Sequence, residues 1–253
     1  MNIPITILTR SFRLIFAEPG RTLTVITPGL LLYCLAAFLC YASLDVTAGQ
    51  LAIRNTPLLL LGITLAILGW MSFAILWHRH ALLQADQRTQ VMRPTSGIFG
   101  LYLKSTVVIG LIMIFLAFCI GIVASIASLV LLTALGPTLG LIAATALMAV
   151  VSIALSWAIL RSSLILPAAA MGHRMAQFES WHATRPISRE IFWTAVLLGV
   201  LNVVFTQILG GLAVALPTYA IGLQAAQLIV QALIYVSVLS TLYGHLIQGR
   251  SLT

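Results

Sequence analysis

The sequence predicts an all-α polytopic transmembrane bundle: six helices forming three hairpin repeats, with short amphipathic helices on the cytoplasmic side. Three observations lead there. The 253 residues are 61% apolar and only 7% charged, whereas roughly a quarter of the residues in a soluble domain carry charge. The apolar residues fall in unbroken runs, several exceeding the roughly 20 residues that cross a bilayer as a helix. Alternating β-barrel patterning is missing, so sheets are not expected. Finally, twelve of the thirteen Lys and Arg residues fall in the intervals that alternate runs would place on one side.

Residues 2–17 open the chain as a short helix. Ile5, Leu8, Phe12 and Ile15 share one face, with Thr6, Arg10 and Arg13 elsewhere, the pattern of a helix lying in the membrane interface. No small-residue cleavage site follows the next apolar run, so that run is expected to remain as an anchor. Glu18-Pro19-Gly20 ends the first helix. Spanning runs are expected at about 24–44, 57–78, 101–133, 138–160, 191–214 and 219–244. Pro28 falls early in the first, at its first turn or at a kink. The third is long enough to tilt, or to pass beyond the hydrocarbon with Lys104 reaching the headgroups. Gly136-Pro137 marks a tight turn, and Pro217 another.

Charge sets the expected topology. Arg10, Arg13 and Arg21 precede the first span; Arg79, Arg88, Arg93 and Lys104 follow the second. Arg161, Arg174, Arg185 and Arg189 follow the fourth and Arg250 the sixth, leaving Arg54 alone on the opposite side. This asymmetry predicts cytoplasmic termini. It also accounts for the net charge of +8 without a nucleic-acid partner. Trp77, Trp157, Trp181 and Trp193 gather at the same face, as interfacial aromatics do. The outer loops are short, so activity is expected in the bilayer or on its cytoplasmic side. Cys34, Cys40 and Cys119 lie inside apolar runs without a CxxC or metal spacing and read as small buried residues.

The chain also repeats. Ser72-Phe-Ala-Ile-Leu76 matches Ser156-Trp-Ala-Ile-Leu160 at an offset of 84 residues, and a further step reaches Ser240. RPTSGIF at 93–99 resembles RPISREIF at 185–192, with EPGRTL at 18–23 as a weaker copy. One integral membrane domain, 1–253, is therefore expected to hold units of about 1–78, 79–160 and 161–246. With Ala170, Gly172, Phe178, Trp181, Thr184 and Arg185 in its third connector, this layout resembles a group of uncharacterised six-helix bacterial inner-membrane proteins. It is similar, too, to the membrane domain attached to some glycerophosphodiester phosphodiesterases. The phosphodiesterase domain itself is absent, so no enzymatic role carries over; the resemblance implies a bacterial inner-membrane location and a family without a settled activity. Three hairpins are also similar to the mitochondrial carrier layout, but that family's Px[DE]xx[KR] motif is missing.

Polar residues at membrane depth are the usual pointer to function. Here they are amides: Asn202 and Gln207 in the fifth span, and Gln224, Gln227 and Gln231 in the sixth. The glutamines share one helical face. In an antiparallel hairpin Asn202 comes level with Gln231 and Gln207 with Gln227. This seam is either interhelical glue, at about 0.6–2 kcal/mol per pair, or the lining of a solute or lipid path. Gly121, Ser125 and Ser128 are expected to face Gly140, Ala144 and Ala154 in a tight hairpin.

The stretch from Arg161 to Phe192 is the longest polar interval. Arg161 either reaches to the headgroups while 164–171 lie flat in the interface, or binds an anion such as a lipid phosphate. Arg161, Arg174, Arg185 and Arg189 are the expected contacts to anionic lipid, each contributing roughly 1 kcal/mol. Glu179 and His182, three apart, form a carboxylate–imidazole pair that reads as a solvated surface pair. His78, His80, His173, His182 and His245 map to the interface without metal or haem spacing. No catalytic residue, metal or cofactor is expected. The composition points to a non-catalytic accessory, scaffold or assembly factor whose partners are anionic lipid headgroups and another membrane protein. The alternative is a small-solute or lipid transporter with a polar path along the fifth and sixth spans.

Overall fold

A computed structural model describes residues 3–47, 50–83 and 90–252. Arg88, one of the basic residues that set the expected topology, lies outside them. Helix α1 (Ile3–Phe16) gives way to α2 (Pro19–Ala42), which begins on Pro19, where a missing N–H is no loss. Helix α3 (Thr56–Leu82) is capped by Asn55, whose side chain accepts from the Leu58 N–H at 3.0 Å. Helix α4 (Ser96–Ser162) is followed by the short α5 (Ile165–Ala170) and α6 (Gln177–Ala183). Helices α7 (Ser188–Ala215) and α8 (Ala220–Leu246) complete the chain.

The fold is helical, as its composition predicts, with one exception. Strands β1 (Leu44–Thr47) and β2 (Gln50–Ile53) pair antiparallel between α2 and α3, Leu44 opposite Ile53 and Thr47 opposite Gln50. The expectation of no sheet is corrected here. Leu44-Asp45-Val46-Thr47 alternates, but only over the minimum length at which alternation marks a strand; Ser43 closes the base of the pair, its carbonyl accepting from the Arg54 and Asn55 N–H groups at 2.8 and 3.2 Å. Several helices also start three to five residues before the expected spans: α2 at 19, α4 at 96, α7 at 188. Hydropathy marks only the apolar part of a helix, and these helices continue into polar sequence.

Among the described residues, five helices are long and apolar enough to cross a membrane, the longest from Ser96 to Ala170, which suggests membrane residence. A straight α4 would place residues 132 and 140 about 12 Å apart. Instead the backbone at Gly136 leaves the helix (φ 75°, ψ 175°), and a Cβ on Gly140 would lie 2.6 Å from the Leu132 Cα. The chain has turned back on itself. Ser125 and Ser128 line one cavity with Ala144 and Thr145 from the returning arm. Gly121 and Ala154 take no part: nothing approaches Gly121 within 4 Å, and Ala154 is exposed. α2 and α3 meet more closely still. A Cβ on Gly29 would fall 2.6 Å from Phe73 Cβ and 2.8 Å from the Gly69 carbonyl, and one on Gly62 would fall 2.6 Å from Cys40 Sγ.

The core sits at one end, where the connectors gather. Trp77, Tyr102, Leu160, Leu164, Ile191 and Leu242 are fully buried there. Along the other halves of the helices Leu31, Phe38, Phe115, Val203 and Leu228 are exposed. That much contiguous apolar surface is unfavourable in water and costs nothing in a hydrocarbon solvent. Helix α1 docks on this core with Pro4, Ile7, Ser11 and Ile15 buried. The face expected to be apolar is turned roughly a quarter-turn away, leaving Ile5 and Phe16 exposed. Ser11 explains the rotation: its hydroxyl donates to the Ile7 carbonyl, and Thr241 of α8 donates to it at 3.2 Å.

The 164–171 segment does not lie flat in the interface. Leu164, Ile165 and Ala168 to Ala170 are buried, packed as α5 against α3, α4 and α8. Gly172 ends α5 at φ 82°. Its N–H bonds to the Ala169 carbonyl and the His173 N–H to that of Ala168, a Schellman closure that glycine alone enters without steric penalty.

Candidate functional site

Among the described cations, Arg161 has the smallest exposed fraction. It closes α4 with 5% of its surface exposed. Its guanidinium lies 3.8 Å from the centroid of Trp181 and 5.0 Å from that of Trp157. Its Nε donates to Thr184 Oγ1 at 3.1 Å and its Nη2 to the Trp181 carbonyl at 2.9 Å. The Ser180 hydroxyl returns a bond to the Arg161 carbonyl at 2.6 Å. The folded-back α6 thus supplies one indole, a hydroxyl and a carbonyl. Both readings of Arg161 at the lipid headgroups are corrected: the side chain is enclosed between two indoles.

Two other arginines do related work. Arg79, buried at the end of α3, donates to the carbonyls of Ala170 (3.3 Å) and Gln90 (2.9 Å). Arg250, beyond α8, donates to those of Ala81 (3.1 Å) and Leu82. Burial first, and the nearby Arg10 charge second, lower the Arg250 pKa. Arg79 and Arg250 bind carbonyls of a connector or another helix end, and Arg161 binds one such carbonyl and a hydroxyl. Arg79 and Arg250 bond to carbonyls in the last turns of α5 and α3, where intrahelical donors run out.

Behind them is a polar pair that sequence reasoning missed. The Ser240 hydroxyl donates to the Val236 carbonyl, so His78 Nδ1–H donates to Ser240 Oγ at 2.9 Å. His78 Nε2 is buried without a partner among the described residues. Trp77 Nε1–H donates to Ser237 Oγ at 2.9 Å. Trp77 and His78 are therefore core residues rather than interfacial ones. No local signal marks the pair, because it depends on α3 and α8 meeting in the fold.

The amide seam is assembled in part. Gln231 Nε2–H donates to Asn202 Oδ1 across α7 and α8. Gln227 Nε2–H donates to Thr206 Oγ1 at 2.9 Å rather than meeting Gln207. Gln207 and Gln224 are exposed beside them, and Asn202 and Thr206 are exposed as well. The seam runs along the outside of the hairpin, not through an enclosed path.

Arg174, Arg185 and Arg189 are exposed on the connector surface, with Arg189 3.8 Å from Glu190. Glu179 does not pair with His182; it accepts from the Ala176 N–H at 2.9 Å and so holds the start of α6. His245 Nδ1–H donates to the Arg250 carbonyl at 3.0 Å. Among the described residues, no three His, Cys, Asp or Glu side chains come together.

No family model matches this chain, and no curated protein or solved structure is similar to it.

Proposed function

We propose that this chain is a non-catalytic multi-pass protein of a bacterial inner membrane, acting as an accessory, scaffold or assembly factor for a membrane complex. In this reading it crosses six times as three hairpins, with both termini cytoplasmic. The arginine asymmetry supports that orientation. The break at Gly136 supports the count, since the shorter arm, 137–162, still extends about 39 Å. The bacterial location rests on the resemblance in layout to six-helix inner-membrane proteins. The carboxylate that a catalytic pair would need is committed elsewhere, because Glu179 holds the α6 N-terminus.

The observation that carries the reading is the seam on α7 and α8. Asn202 bonds to Gln231 and Gln227 to Thr206, yet Asn202 and Thr206 are exposed at helix positions that lie in hydrocarbon. Each amide group offers two N–H donors and a carbonyl with two lone pairs, more than these bonds occupy. Polar groups left unpaired in lipid cost several kcal/mol each. A helix from another membrane protein, or from a second copy, satisfies them.

Replacing both Asn202 and Gln231 with Leu tests this. The native chain, extracted in mild detergent, is expected to co-purify with a stoichiometric membrane-protein companion. The double variant is expected to lose that companion while its own Tm stays within a few degrees. A native chain that purifies alone, and whose reconstituted solute or lipid flux falls in the double variant, would establish the transporter instead.

A further inference from the structure

A cavity of about 770 Å³ lies between the first turns of α4 and the segment at 172–177 that joins α5 to α6. Two cations line it, Lys104 from α4 and Arg174 from the joining segment, and no acid does. Neither has an ion pair or hydrogen bond among the described residues. Both are exposed, so the cavity wall offers an anion two positive charges that no acid offsets. Ser105 and Gln177 add neutral polar groups to the wall. The Gln177 Oε1 is shielded from solvent and accepts no bond among the described residues, so turning the amide into the cavity gives up no hydrogen bond at that oxygen.

The cavity follows α4 from Gly97 to Val108, about 16 Å of helix. Side chains tilt toward the start of their helix, so Lys104 points back toward the connector end. Farther along the same side α4 exposes Val108, Leu111 and Phe115 in turn. Cations with a vacant acceptor at one end, and an apolar track at the other, match a glycerophospholipid.

We propose that this cavity is a phospholipid headgroup site. Lys104 and Arg174 hold the phosphodiester, the Gln177 amide turns into the cavity to accept from a headgroup hydroxyl or ammonium, and an acyl chain runs over Val108. The site is separate from the α7–α8 seam and does not depend on which side of the membrane the connectors face.

Native mass spectrometry of the full chain in nanodiscs of phosphatidylglycerol, phosphatidylethanolamine or phosphatidylcholine reads the retained lipid. Phosphatidylglycerol or phosphatidylethanolamine is expected to be retained over phosphatidylcholine, whose headgroup has no hydrogen-bond donor. Lys104→Gln with Arg174→Gln is expected to lower retention about tenfold or more. Arg185→Gln with Arg189→Gln, equal in charge change, is expected to leave it unaltered. Gly100→Phe gives a steric version: a Cβ there meets nothing within 4 Å, so the variant folds while its ring fills the cavity, and retention is expected to fall likewise. Equal retention in the Lys104/Arg174 variant, or equal loss in the Arg185/Arg189 control, would overturn the site. Displacement of lipid by micromolar glycerol phosphate would also overturn it, by assigning the cavity to a soluble phosphate. Failure of millimolar glycerol phosphate to compete supports the lipid.

Discussion

Arg161→Leu is expected to destabilise the protein by about 3 kcal/mol or more. The guanidinium faces two indoles, each such contact being worth about 0.5–2 kcal/mol as it is desolvated, and its two hydrogen bonds come from a charged donor at about 1.5–3 kcal/mol each. Part of that is recovered when Leu fills the space, and Thr184 keeps its own bonds to the Ser180 and Trp181 carbonyls. Arg161→Lys is expected to recover only part of the loss, because an ammonium lacks the planar fork that reaches Thr184 Oγ1 and the Trp181 carbonyl together. Denaturant unfolding in detergent, followed by tryptophan fluorescence from Trp157 and Trp181, measures both. A Leu variant as stable as the native chain would show that α6 docks without the guanidinium.

The second large effect belongs to the α2–α3 hairpin. Gly29→Val is expected to cost about 3 kcal/mol, because its side chain would enter space held by Phe73 Cβ and the Gly69 carbonyl. One of those neighbours is backbone and cannot rotate aside, so the helices must separate. Gly110→Ala on α4 is the matched comparison. Nothing lies within 4 Å of a Cβ there, and replacing a helical glycine is expected to be neutral or to stabilise by about 0.5–1 kcal/mol. Thermal unfolding of the two variants side by side checks the pair. Equal Tm values would mean that the two helices are not in contact at Gly29.

The helices were legible because length and apolarity alone decide membrane-spanning segments. Gly136-Pro137 was legible because its chemistry ends a helix in any surroundings. The level pairing of Asn202 with Gln231 followed from hairpin geometry and residue numbers. What composition does not carry is the facing of a helix that is apolar on most sides. In α1, Ile5 and Ile7 are equally apolar, and only the Ser11–Thr241 bond, 230 residues apart, decides which is buried. Arg161 and Trp77 stand where apolar runs meet polar sequence, and there exposed and core residues have the same composition. Their burial depends on α6 folding back and on α8 presenting Ser237, neither of which is a local property. The β1–β2 hairpin escaped for a different reason: its strands are no longer than the shortest run in which alternation marks a strand.

Photo-crosslinking in native membranes tests the proposed role most directly. A photoreactive residue at position 224, beside Gln227 and Gln231 on α8, is expected to yield a protein adduct of one defined mass. The adduct should disappear when Asn202 and Gln231 are both Leu. The same residue at position 111, on the exposed apolar face of α4, should capture lipid. Lipid adducts alone at both positions would show the amide seam facing hydrocarbon unpartnered, and would contradict a scaffold or assembly role built on it.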